Sequence, residues 1–293
     1  MIDAVADTTA NVVITGESGT GKELVARAIH KKSGRAAGPF VAVNCAALPK
    51  EILENELFGH EKGAFTGALR EKPGCFELAH LGTLFLDEVA EMSPETQTKI
   101  LRVLEEKSFR RLGGKKEIQV DVRIIAATNK NLTQALEEKT LREDLYYRLC
   151  VVEIELPPLR ERIGDIPLLV GEFIKFFSQK NNKTIQGISP ECMEILTRYP
   201  WPGNVRELKN VIERAVILCQ NKILQPQDLP RKIADTEKIV PEVRIPLGTK
   251  LEDWEREIIL RTLESVNNNK TQAARVLGIS LKTLHNKLHK YAL

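Results

Sequence analysis

The sequence has no apolar run approaching the about 18 residues that a membrane-spanning helix needs. Its first ten residues, MIDAVADTTA, are neither basic nor apolar enough for a secretory leader. It has no CxxC pair either. Cys45, Cys75, Cys150, Cys192 and Cys219 are widely spaced, the pattern of reduced thiols rather than of a disulfide framework. Nor is there an excess of one charge. A formal net charge of +3 excludes a polycation, so any binding to nucleic acid must rest on basic residues gathered in one place. Internal repeats and low-complexity tracts are also lacking. These absences predict a soluble cytoplasmic protein with no membrane partner. What is present suits packed domains: 42% hydrophobic and 28% charged residues in a chain of 293, long enough for two or three structural units.

Short apolar runs alternate with helical patterns up to about residue 160. NVVIT (11–15), FVAVN (40–44), TLFL (83–86), VRIIAAT (122–128) and VVEIEL (151–156) read as buried strands, and stretches such as 23–31 and 93–106 as helices between them. That alternation predicts an α/β unit with a mostly parallel sheet covered on both faces, over 1–160. Pro157-Pro158 breaks the pattern. Helical segments then follow at 165–181, from Ser189-Pro190 to about Arg198, and, after the turn Pro200-Trp201-Pro202-Gly203, at 204–220, giving a small helical unit over 161–233. Residues 234–250 have little periodicity and read as a linker. Residues 251–293 form a last helical unit.

Gly16-Glu17-Ser18-Gly19-Thr20-Gly21-Lys22 fits the phosphate loop G-x-x-x-x-G-K, and it lies between a strand and a helix, the context that separates such a match from an incidental glycine turn. Backbone N–H groups and the helix N-terminus would face the phosphates, and Lys22 would reach the β- and γ-phosphates of ATP. Glu23 follows, where the general pattern has Ser or Thr for a metal, so Mg²⁺ must lean on another carboxylate. The strand Leu84-Phe85-Leu86 ends in Asp87-Glu88 and supplies it: Asp87 to hold Mg²⁺, Glu88 to polarise the attacking water.

Between these two motifs lies Gly63-Ala64-Phe65-Thr66-Gly67-Ala68. Read alone it is a glycine-bounded loop with one aromatic. In this position it resembles the signature of the sigma-54-dependent transcriptional activators of the AAA+ superfamily. GESGTGKE (16–23), VNCAAL (43–48), LFLDEV (84–89), REDLYYRL (142–149), LPPLRER (156–162) and WPGNVRELKN (201–210) match the same family in order, covering most of 11–220. The resemblance implies an AAA+ P-loop NTPase fold with a helical lid. It further implies an active hexamer, with a dimer left open for the resting state, and ATP held between subunits. The hexapeptide would contact sigma-54 and RNA polymerase, Phe65 by apolar contact and Thr66 by supporting the loop. Asn44 resembles the switch residue that holds the catalytic glutamate, Thr128-Asn129 the first sensor, and Arg142 and Arg148 the arginine fingers that reach a neighbour's nucleotide. Arg206 resembles the second sensor. Three departures stand out. Leu81-Gly82-Thr83 replaces the usual Gly-Gly-Thr, Leu141 replaces Phe, and the stretch before residue 16 is shorter than the family's adenine-enclosing segment, as though truncated. The sensor and any two-component input are not visible in this sequence.

In the last unit, 251–266 carries an apolar helical stripe, TQAARVL (271–277) a short helix, Gly278-Ile279 a turn, and Ser280 the cap of SLKTLHNKLHKY. That pattern is a helix-turn-helix, and it resembles the Fis-type domain that ends many sigma-54 activators. From Val266 onward the basic residues are Lys270, Arg275, Lys282, Lys287 and Lys290, with no acid, whereas 251–265 holds five acids. Lys270, Lys282, Thr283, His285, Asn286 and Lys287 are therefore the candidates for contact with enhancer DNA. His285 and His289 stand four apart without an acidic or thiol neighbour, which favours a solvent- or phosphate-facing role over zinc. The intact hexapeptide and Glu88 argue against a DNA-binding regulator that has lost the remodelling activity. The terminal helix-turn-helix argues against a chelatase or unfoldase subunit.

Overall fold

The structure, a computed structural model, describes residues 1–234, 250–266 and 269–291. The chain divides into two compact units, Met1–Thr236 and Glu237–Leu293. Apart from its two end residues, the linker expected over 234–250 lies outside the described residues.

The first unit is built on five parallel strands: β1 (Val12–Thr15), β2 (Phe40–Asn44), β3 (Thr83–Asp87), β4 (Arg123–Thr128) and β5 (Val152–Glu155), in the order β2-β3-β4-β1-β5. The central strands β1, β3 and β4 are mostly apolar on both sides because both faces are covered, whereas the edge strands β2 and β5 are partly exposed. The pleat then sorts them by alternation. Leu84 and Leu86 of β3, with Ile124 and Ala126 of β4, enter a core that includes Leu53, Leu57, Phe58, Phe76 and Ile100. Phe85, Ile125 and Ala127 enter the opposite core with Ala26 and Ile29 of the helix Lys22–Lys32. Pro94–Glu106, the longest helix of this half, opens as the sequence predicts: Ser93 accepts from the Thr96 N–H, and Pro94 takes the first helical position.

Several elements have no counterpart in the sequence reading. A short helix, Ile2–Ala6, packs beneath the sheet. Arg123, only 2% exposed, donates to the carbonyls of Ala10, Ala6 and Val5, so its charge satisfies the acceptors at that helix's C-terminal end. Burial pushes its guanidinium below the ordinary arginine value. Two short antiparallel ribbons, Gly59–His60 with Lys72–Pro73 and Ser108–Arg110 with Glu117–Gln119, flank the hexapeptide.

The helical half of this unit comprises chiefly Asp165–Lys180, Pro190–Arg198 and Asn204–Leu218. Its core closes around Trp201, fully buried, whose indole N–H donates to the Leu196 carbonyl at 2.8 Å. The second unit holds Leu251–Ser265, Lys270–Val276 and Leu281–Lys290. Ala273 and Ala274 are buried, allowing close approach of helices, and Leu284 and Leu288 face its core as their spacing of four predicts. Asn269 and Ser280 cap the last two helices through the N–H groups of Gln272 and Thr283. Among the described residues no helix is long and apolar enough to cross a membrane.

Candidate nucleotide site, hexapeptide loop and basic helix

The glycine-rich turn Gly16–Gly21 joins β1 to the helix Lys22–Lys32. Gly19 lies at φ +81°, and a Cβ there would stand 2.5 Å from the Gly203 carbonyl oxygen of the helical half, so only glycine fits. Lys22, 7% exposed, turns its ammonium back onto the loop, donating to the carbonyls of Gly16 at 2.8 Å and Glu17 at 3.4 Å. Burial pulls its pKa below the ordinary lysine value, opposed by Glu88 and Asp87. Its Nζ stands 3.9 Å from Glu88 Oε1.

Strand β3 delivers Asp87 and Glu88 to the same place. Glu88 lies at φ +55°, a left-handed conformation costly for a residue with a Cβ. Its Oε2 accepts the Asn129 N–H at 3.0 Å, which brings the end of β4 to the candidate base. Asn44, at the end of β2, donates from Nδ2 to Asp87 Oδ2 at 3.3 Å and accepts the N–H groups of Ala46 and Ala47 through Oδ1. In this state Asn44 therefore holds Asp87, not Glu88. Ser18, Gly19, Gly21, Lys22, Asp87, Glu88 and Arg206 line one cavity of about 330 Å³.

Not every predicted residue is free to act there. Glu23 borders that cavity, but its carboxylate is engaged by Arg27 at 2.7 and 2.9 Å, which leaves Asp87 and Glu88 as the acidic donors facing Lys22. An all-oxygen carboxylate pair beside a lysine and a phosphate loop suits Mg²⁺ bound together with phosphate oxygens and water. Thr20, buried, spends its hydroxyl on the Glu17 carbonyl. Arg206 donates from Nη1 to Ser18 Oγ at 3.0 Å. Arg142 and Arg148 are exposed on and beside the helix Glu143–Leu149. Arg142 pairs with Asp144, and Arg148 donates to the Leu104 carbonyl.

The hexapeptide forms a tight protruding turn. Gly63 and Gly67 take φ +83° and +105°, and the Gly63 N–H donates to the Ala68 carbonyl at 2.8 Å. Phe65 is 47% exposed, with its ring edge-on to His60 at 5.0 Å, and Thr66 is exposed beside it. Arg111, just beyond the first strand of the second ribbon, grips the loop's base. It pairs with Glu61 before the hexapeptide, with Glu71 after it and with Glu77 beneath it. Those three carboxylates raise its pKa, and Arg111 in turn holds Glu77 below the ordinary carboxylate range.

In the second unit Lys270, Lys282, His285 and Asn286 are exposed. Thr283 and Lys287 have partners inside the unit: the Thr283 hydroxyl lies 2.7 Å from Ser280 Oγ at the helix cap, and the Lys287 ammonium 2.5 Å from Glu255. Lys290 pairs with Glu252 at 2.7 Å.

These sites can be set against known proteins. A sigma-54 interaction domain model matches residues 1–155, an AAA+ ATPase lid domain model 160–244, and a Fis-family bacterial regulatory protein model 250–291. The regulatory protein AtoC of Escherichia coli K12 is 51% identical over 97% of this chain, and the transcriptional regulatory protein ZraR of the same strain 49% over 99%. The chain belongs to the sigma-54 activator family. It spans 63% and 65% of the lengths of those two relatives. The crystal structure of NtrX from Brucella abortus in complex with ADP superposes with a TM-score of 0.75, at 41% identity, over 100% of this chain and 67% of that one.

For a sigma-54 activator fold, the sequence reading missed the residues that position the motifs rather than the motifs themselves. Gln97 is fully buried and bonds only backbone: it donates to the Met92 and Thr140 carbonyls and accepts the Arg142 N–H, so it fixes where Arg142 begins its helix. Arg160, Arg162 and Asn204 reach the phosphate loop from the helical half. Arg160 and Arg162 fall within LPPLRER and Asn204 within WPGN, so the family motifs mark them. No spacing in the sequence says what they touch.

Proposed function

We propose that this chain is an ATP-hydrolysing transcriptional activator that binds enhancer DNA and remodels sigma-54 RNA polymerase from closed to open complex through the Gly63–Ala68 loop. One observation carries the hydrolytic half: Lys22 Nζ and Glu88 stand 3.9 Å apart in one cavity at the ends of β1 and β3, and the Asn129 N–H, just past β4, bonds that glutamate. The ADP held by the NtrX relative supports a nucleotide there.

Lys22 exchanges two loop carbonyls for phosphate oxygens, a small movement for a side chain already bent over the loop. Glu88 orients and polarises the attacking water, and the Asn129 N–H holds that carboxylate in place. Asp87 holds Mg²⁺, which neutralises phosphate charge when bound. Asn44 moves from Asp87 to Glu88 as the nucleotide state changes. Arg206 reports the phosphates to the helical half. Arg142 and Arg148 lie on the surface and complete a neighbour's site, which requires a ring; we assign a hexamer.

The exposed Phe65, between two left-handed glycines, is the apolar contact for sigma-54, and its neighbours allow the loop to move. Lys270, Lys282, His285 and Asn286 form the DNA-facing set of the Fis-type unit. The test is promoter opening by sigma-54 polymerase in vitro. Opening should require hydrolysable ATP, and Phe65→Ala should abolish the activator's capture of sigma-54 in the presence of ADP and aluminium fluoride. Opening that proceeds equally with a non-hydrolysable analogue would refute the remodelling role.

A further inference from the structure

We propose that Glu17 and Asn204 form a latch between phosphate loop and helical half, so that holding phosphate and placing the lid become one event; this deepens the nucleotide-binding reading and rests on it. Asn204 opens the helix Asn204–Leu218 and is fully buried. Its Nδ2 donates to Glu17 Oε2 and to the Ser18 carbonyl, both at 3.0 Å, and its Oδ1 accepts the Leu159 N–H at 2.8 Å. One side chain thus joins the phosphate loop, the connector after β5 and the first residue of the lid helix. It does so at φ +51°, a conformation asparagine tolerates better than most residues with a Cβ. Glu17 completes the latch. Both its oxygens take the Arg160 guanidinium, at 2.7 and 3.0 Å, and Arg160 with Asn204 holds its pKa down at about 2.

The neighbouring contacts give the latch its purpose. Along the loop, the Ser18 carbonyl accepts from Asn204, the Gly19 carbonyl from the Arg206 N–H at 3.3 Å, and the Thr20 carbonyl from Arg162 Nη2 at 2.8 Å. Three consecutive carbonyls are therefore claimed by the helical half and its connector. In a planar trans peptide the carbonyl and the following N–H point opposite ways. Fixing those carbonyls toward the lid sets the N–H groups of Gly19 and Gly21 on the other side, where phosphate oxygens would be bound, while the Thr20 N–H meets the Glu17 carbonyl at 3.4 Å. Asn204 and Glu17 are positioning residues. Their side chains are spent on Arg160, Leu159, Ser18 and each other, so they act by aiming the loop's donors, and any shift of the loop on nucleotide exchange is transmitted to the lid helix at its first residue.

The test is the affinity of the full chain for a fluorescent N-methylanthraniloyl ADP. Asn204→Asp keeps the acceptor for Leu159 but sets a carboxylate against Glu17, and should weaken binding about tenfold, the scale of a lost hydrogen bond to a charged group. Glu17→Gln restores a donor opposite that aspartate, so the double variant should recover most of the loss, a rescue that a general packing defect would not show. Glu17→Ala, on the loop's outer side, covers the case in which Asn204→Asp does not fold; it should weaken binding about threefold or more. Parental affinity in both Glu17→Ala and Asn204→Asp overturns the latch, as does a double variant no better than Asn204→Asp alone. A parent protein that binds no ADP, with Lys22→Ala behaving identically, would instead remove the nucleotide reading itself.

Discussion

The two units of this chain handle unfavourable backbone in opposite ways. In the described part of the first, seven residues with side chains take left-handed conformations: Leu81, Glu88, Lys107, Lys139, Asn182, Trp201 and Asn204. In the described part of the second, the only left-handed residue is Gly278, at the turn between its last two helices. Such strain, about 1–3 kcal/mol per residue, persists only where surrounding structure over-determines it. Glu88, Trp201 and Asn204 meet that condition: Glu88 is held by the Asn129 N–H, Asn204 by Glu17 of the phosphate loop, and Trp201 by the Leu196 carbonyl in the core of the helical half. The helix-turn-helix unit rests instead on capping side chains and exposed ion pairs. In the first unit, then, strain falls on Glu88 and Asn204 of the proposed nucleotide site as well as on positions with no assigned role, whereas in the helix-turn-helix unit the charged side chains Lys287 and Lys290 are tied by ion pairs.

The largest expected effect tests the working end of that contrast. Glu88→Gln keeps the Asn129 contact and the backbone conformation but removes the base. ATP turnover should fall by about 10²- to 10⁴-fold with ADP affinity retained. Turnover within tenfold of the parent would show that the strained glutamate is structural.

Strain without function should be removable. Leu81 lies at φ +59° and is 60% exposed, so its side chain contributes little burial to offset the backbone cost. Leu81→Gly should stabilise the chain by about 1 kcal/mol in denaturant melts, by relieving the left-handed conformation. The family's usual glycine at this position fits the same reading. A destabilised variant would mean that Leu81 makes a contact in the assembled protein that outweighs its strain.

The residues that could be read from sequence are those whose role is local. The central strands β1, β3 and β4 were legible because both faces are buried and their sequences are largely apolar, and the edge strands β2 and β5 because short apolar patterns stand at the expected spacing. The phosphate loop and Asp87-Glu88 were legible because each motif lies within a few residues of a strand end. The ribbons at 59–60 with 72–73 and at 108–110 with 117–119 were not, since two- and three-residue strands are too short to show a period. The latch was invisible for another reason: Glu17 and Asn204 are 187 residues apart, and nothing in either neighbourhood marks a partner. Equally, charge pattern placed Lys287 among the DNA contacts, but the acids of 251–265 that made the pattern asymmetric include the one that pairs with it.

That pairing yields the next test. Lys282 is exposed and Lys287 is paired, so the two lysines should differ. Lys282→Ala should lower the slope of log affinity against log salt by about one, as expected for one lost phosphate contact. Lys287→Ala should change it much less. Equal slopes would mean that DNA draws Lys287 away from Glu255.

The smallest effect follows from the partner of that lysine. Glu255 meets Lys287 through Oε1 and the Tyr291 hydroxyl through Oε2, each at 2.5 Å, and Lys290 adds a further positive charge nearby. Lys287 first, then Tyr291, hold its pKa below the ordinary glutamate value of 4.5. Because the folded value is the lower one, the stabilisation is fully present above 4.5 and is lost as pH falls through the depressed value. Glu255→Gln should therefore lower the unit's stability at neutral pH and leave it unchanged well below the depressed value, flattening the acid limb of its melting profile by that same amount, a small one for a solvent-exposed pair. At neutral pH the same variant releases Lys287, so the salt slope for DNA should steepen by at most about one and nonspecific affinity should rise about twofold. An unchanged slope together with an unchanged acid limb would show that the ion pair does not hold Lys287 in solution, and the contrast between a first unit strained at its candidate site and a helix-turn-helix unit tied by ion pairs would lose its second half.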